Sequence, residues 1–366
     1  MSKQFSLLLT MLIIQLAAAA QTGSIDSLLQ KLKSAKEDTA AVKLLLAIGV
    51  RYEDSDALIA KDYFYKAAAL SNKIGYAEGR IAGYTRYSSH FFMTGAYDSV
   101  IFYNEKCLEI ARGIKDTLNI GYALFNIGMA HSHLSDFVSA IEYCLEGRKI
   151  IEGKEPSIEA QLNDRLQALY HQMVQYDKAI TFGEKAVQQA RELNSPAFLT
   201  QALVNLSLSY VIKRMPEKAR PLLTEALDLA KKNGNIHHEA SALINLSEIE
   251  FLEGDYETAK LYTEKCLAVY RQIGSLDGEV IALRSMARYY LHKKDFTNAK
   301  ILATQSMEMA SKNNFRWEHT WASKLMSNIA FAAGDMLAGE KYYQQSEDTL
   351  IRMINDLLYG DRKSVV

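Results

Sequence analysis

Three asparagines recur in one local context: Asn126 in FNIG, Asn205 in VNLS and Asn245 in INLS. Each lies two residues before a small residue, Gly128, Ser207 or Ser247. Asn costs up to ~0.7 kcal/mol relative to Ala inside a helix, so its recurrence in one register asks for a task. A side-chain amide both donates and accepts, which suits it to the backbone of an extended peptide. A basic set accompanies it: Arg86, Arg165, Arg284, Arg288 and Lys324, with Asn328 four residues after Lys324. At that spacing two side chains are neighbours on one helix face. Groups of these kinds suit holding an acidic or extended ligand. The patterns of catalysis are missing: there is no Gly-rich phosphate loop, no H-E-x-x-H and no G-x-S-x-G. His131 and His133, at i, i+2, point to different helix faces and make no metal pair. His237-His238 is expected at an exposed helix start. No cofactor or metal is expected, and the chain is read as a non-enzyme.

These side chains need elements to carry them, and the elements repeat. Following one small position along the chain gives Ala60, Val100, Ala140, Ala179, Ala219, Ala259, Ala299 and Gly339, at steps of 40 with a single 39. Seven residues on runs a second series, Ala67, Cys107, Gly147, Ala186, Ala226, Cys266, Ser306 and Ser346. A third precedes the turn: Gly49, Ser88, Gly128, Ala168, Ser207, Ser247, Ala287 and Ser327. Two helices approach closely only where side chains are short, and a helix pair cannot bury its apolar face alone, so identical pairs must stack. Apolar residues between the series follow the helical period. Gly254-Asp255 and Gly334-Asp335 end one helix and cap the next. Pro216 suits a first helical turn, where its missing N–H is harmless.

Small residues in these three registers, with an aromatic near the turn, resemble the tetratricopeptide repeat. The period of 40 is similar to the longer variant of kinesin light chain and of many bacterial signalling and sensor proteins. The resemblance implies an all-α, right-handed superhelix, an α-solenoid of about eight helical hairpins over residues 39–356. Residues 21–38 would be a lead-in and 357–366 a tail. Such scaffolds serve many binding roles, so the fold does not name the ligand. Cys107 and Cys266 fall on the second small position and Cys144 one turn after Ala140. All three are expected to be reduced packing residues.

In such stacks the first helix of each pair lines a concave groove. The small residue faces the second helix, and a residue two positions earlier is turned ~200° away, into the groove. Asn126, Asn205 and Asn245 occupy that place, and the resemblance to kinesin light chain and O-linked N-acetylglucosamine transferase repeats implies a ligand-binding asparagine ladder. A bond to the neighbouring helix is the other reading. The groove is expected to be basic, on Arg86, Arg165, Arg284, Arg288 and Lys324, and free of carboxylates. Lys324 with Asn328 resembles half of the carboxylate clamp of chaperone-binding repeats. Tyr122, Phe251, Trp321 and Phe331 are apolar candidates for groove or core.

Composition bounds the partner. With 42 Lys+Arg against 43 Asp+Glu the formal net charge is −1, so no global field attracts nucleic acid. Four prolines among 366 residues and 49% hydrophobic residues suit a folded, mostly helical chain. Lys3, an apolar run from Phe5 to Ala20 and the Ala18-Ala19-Ala20 site read as a signal peptide over residues 1–20. An uncleaved anchor is the rival, though the run is shorter than the ~20 residues of a spanning helix. The expected protein is exported, periplasmic or secreted, with no membrane span after cleavage. Its expected ligand is a protein or an extended peptide, acidic or presenting its C-terminus. The alternative is a sensory input module of a two-component-type signalling protein without its kinase domain.

Overall fold

A computed structural model describes residues 25–359, with side chains to residue 352. The signal peptide expected at 1–20 and most of the tail expected at 357–366 lie outside the described residues. Among those residues every regular element is a helix. A short α1 spans 25–33. Eight hairpins follow: α2 (Thr39–Tyr52) with α3 (Ala57–Lys73), α4 (Ala77–Met93) with α5 (Tyr97–Gly113), α6 (Thr117–His133) with α7 (Phe137–Ile151), α8 (Pro156–Gln172) with α9 (Tyr176–Glu192), α10 (Pro196–Ile212) with α11 (Pro216–Lys232), α12 (Ile236–Glu253) with α13 (Tyr256–Ile273), α14 (Leu276–His292) with α15 (Phe296–Lys312), and α16 (Arg316–Ala332) with α17 (Met336–Tyr359). No described helix is long and apolar enough to cross a membrane.

The small series mark where paired helices touch. A Cβ placed on Gly49 would lie 2.4 Å from the Phe64 ring, and one on Gly128 2.7 Å from Cys144 Sγ and 3.2 Å from the Ala140 carbonyl. Ala60, Ala140, Ala179, Ala219, Ala259 and Ala299 are buried throughout. Cys107, Cys144 and Cys266 are buried and no disulfide joins them. Burial pushes the Cys107 thiol up to about 11 and the Cys266 thiol to about 12.

Helix ends follow capping rules. Asp38, Asp56, Asp116, Asp136, Asp255 and Asp295 each accept a backbone N–H of the helix they start, satisfying donors that the helix leaves open. Between helices the chain passes through the left-handed region about every twenty residues, at 75, 95, 115, 135, 153, 174, 194 and onward to 334. Half of these positions are glycine and half are not.

The chain divides into two compact units, 1–162 and 163–366. In the first, α2 packs on α4 and α4 on α6; in the second, α10 packs on α12 and α14 on α16. First helices thus form a layer of their own within each unit, and that layer carries the candidate residues.

Candidate ligand-binding face on the first helices

In the first unit, Asn126 on α6 donates to Asn104 Oδ1 of α5 at 3.0 Å, and buried Asn104 donates in turn to Ser88 Oγ and the Val100 carbonyl. Arg86 on α4 pairs with Glu53 at 3.1 Å.

In the second unit, Asn205 on α10 donates to Asp164 Oδ1 at 2.9 Å, and Gln201 donates to Asp164 Oδ2 at 2.7 Å. Asp164 is 5% exposed. Burial raises its carboxyl above the usual range, against the two amide bonds and the nearby Arg165 and His238, which favour the charged form. Gln167, also buried, donates to the Asn205 carbonyl and to Ser209 Oγ. His238 is half-buried while His237 is exposed. Among the described residues no hydrogen bond occupies the Asn245 amide, which is half-buried on α12.

The remaining candidates converge. Arg284 and Arg288 on α14 and Lys324 and Asn328 on α16 line one pocket of about 230 Å³ with Glu248, Ser285, Trp321 and Leu325. Arg288 grips Glu248 of α12 with both terminal nitrogens and lies 3.9 Å from the centre of the Phe251 ring. Paired and stacked, this guanidinium is fixed. Arg284 and Lys324 differ. Among the described residues neither has a carboxylate within ion-pair reach. Lys324 is exposed, with Nζ 5.5 Å over the Trp321 ring. Arg284 is half-buried; desolvation lowers its pKa, as does Arg288, while Glu318 and Glu248 act the other way.

Glu248 in this lining overturns the expectation of a face free of carboxylates. Glu248 stands one residue after the small Ser247, as Arg288 stands one after Ala287. The forty-residue register alone identifies it. Asp164 gave no such signal, because its importance comes from amides on the next hairpin.

The family model for the tetratricopeptide repeat matches residues 198–272 and 238–312, which run from α10 to the end of α15. The chain carries tetratricopeptide repeats. No curated protein sequence matches it. Among solved structures, these repeats are similar to aspartyl phosphate phosphatase F from Bacillus subtilis, with a TM-score of 0.64 at 14% identity over 88% of this chain and 86% of that one. They are similar to the Rap conjugation gene regulator of plasmid pLS20, solved with the Phr* peptide: TM-score 0.59 at 15% identity over 93% and 98%. A tetratricopeptide repeat protein from Parabacteroides merdae matches with a TM-score of 0.54 at 14% identity over 76% and 97%. At such identities the likeness is one of fold. The scaffold of stacked helical repeats is what they have in common.

Proposed function

We propose that this protein is an exported scaffold that binds an extended peptide or protein segment along the first-helix face of its second unit. An acidic group of the ligand is held by Arg284 and Lys324. The observation that carries the reading is a pair of cations in one pocket, with no carboxylate in ion-pair reach of either among the described residues, beside the exposed Trp321 ring and the Asn328 amide. Asn245, half-buried on α12 and without a hydrogen bond among the described residues, is offered to the ligand backbone one first helix from Arg284 and two from Lys324. The pLS20 regulator, of the same fold, was solved holding a peptide. The chemistry is recognition, and no step of bond-making is assigned. Export rests on the N-terminal sequence.

Peptides of equal length and opposite charge, titrated against the mature chain, test the reading. Acidic peptides should bind and basic ones should not. Raising salt should weaken binding, since exposed charges are screened beyond ~8–10 Å at physiological ionic strength. Arg284→Glu with Lys324→Glu should abolish binding of the acidic set. Equal binding of both sets, or indifference to the double reversal, would refute it.

A further inference from the structure

The ligand's acidic group has a charge that the pocket specifies. We infer that the pocket between α12, α14 and α16 takes a phosphoryl group in preference to a carboxylate; this rests on the binding face proposed above. The charged groups of the lining are Arg284, Arg288, Lys324 and Glu248. Glu248 is spent on Arg288, which is further fixed by the Phe251 ring. Two cations are left, on neighbouring helices and facing one small space. A monoanion between them leaves one unit of positive charge uncompensated. A phosphate monoester carries about −1.5 to −2 at neutral pH and offers three acceptor oxygens. The donors at hand exceed what a carboxylate accepts: the planar Arg284 fork, the Lys324 ammonium, the Asn328 amide and the Ser285 hydroxyl. Glu318 opposes the ligand, because it acts on Arg284 from outside the lining.

The same chemistry comes from two sources, a phosphorylated peptide side chain or a free phosphate. Trp317 and Trp321 are the protein's two tryptophans, so Trp317→Phe leaves Trp321, at the pocket, as the only fluorescent indole. This full-length variant is titrated with four probes: one peptide bearing phosphoserine, the same peptide bearing Asp or Ser at that place, and inorganic phosphate. At about pH 7.5 the phosphoserine peptide should bind at least ~tenfold tighter than the Asp peptide. That advantage should shrink toward about pH 5, because the second phosphoryl ionisation lies near 6. The Asp peptide, followed over the same range, reads any titration of the protein itself. Lys324→Gln, at an exposed position, and Arg284→Gln should each remove most of the advantage, and Glu318→Gln should increase it. A response to inorganic phosphate as strong as to the phosphopeptide assigns the site to free phosphate; a response to the peptide alone assigns it to a modified chain. If Asp and phosphoserine peptides bind equally well, the phosphoryl inference falls and the acidic-ligand face stands. If neither binds better than the Ser peptide, both fall.

Discussion

Asp164 carries a carboxyl where water scarcely reaches it, and the two groups bonded to it are amides. Desolvation, the largest effect on it, raises its pKa in the folded state. The folded chain therefore keeps a proton that the unfolded chain has already released, and stability falls as pH rises from the ordinary aspartate value of ~3.9 through the raised one. Asp164→Asn should then be more stable than the parent at pH 7, with the gap closing toward pH 4, since each neighbouring amide can turn its oxygen to accept. Urea titrations at the two pH values check this; a variant weaker at pH 7 would overturn it. Asn205→Ala should act in the other direction, losing a hydrogen bond to a charged group worth ~1.5–3 kcal/mol. At this scale the sequence was half legible. Asn205 stood out because a helix disfavours it, but the acid that engages it is set by packing between α8 and α10, which no local pattern encodes. The convergence of Arg284, Arg288, Lys324 and Asn328 was legible, because all four lie on first helices in one register.

Helix contacts divide into those the repeat records and those it does not. Gly49 and Gly128 belong to a series because each hairpin closes in the same way. Gly83 belongs to none, yet a Cβ there would lie 2.7 Å from the backbone nitrogen of Ala68 on α3. That contact joins successive hairpins, where the crossing varies with the residues present. Gly83→Ala should destabilise by ~1–3 kcal/mol through overpacking, although Ala is the better helix former by ~1 kcal/mol. Gly113→Ala is the control: nothing lies within 4 Å of the added Cβ, so a gain of ~0.4–1 kcal/mol is expected. The turns show a second limit of legibility. Left-handed positions recur at the same step, but sequence marks them only where glycine fills them. Val174 is one that glycine does not fill, with φ 62° and the side chain 68% exposed. A β-branched residue there costs ~1–2 kcal/mol, part of which glycine loses again in the unfolded chain. Val174→Gly should gain ~0.5–1 kcal/mol in chemical denaturation; a loss would show that the turn imposes no strain.

Within each unit the packed helix pairs among the described residues are consecutive or next but one, so a perturbation there travels through neighbours. This locality is why the scaffold was legible in the sequence: each hairpin repeats the demands of the last, and eight repetitions outweigh any one irregular position. It is also why the ligand was not legible, since face residues vary freely on a frame that does not need them. Locality makes a prediction about the molecule as a whole. Ala259 is 2% exposed on α13, and its carbonyl accepts from Ser247 and Thr263. Ala259→Leu should overpack α13 against α12 at ~1–3 kcal/mol. The helices packed on α13 are α12 and α14, and in repeat arrays stability is a sum of hairpin and nearest-interface terms. Amide hydrogen exchange should therefore quicken most in α12 and α13, less in α14 and α15, and not at all in α2 to α5. Ligand in the pocket should give the complementary map, slowing exchange in α12, α14 and α16. Uniform acceleration along the chain would mean that the protein opens as a single cooperative body, and the nearest-neighbour account would be wrong.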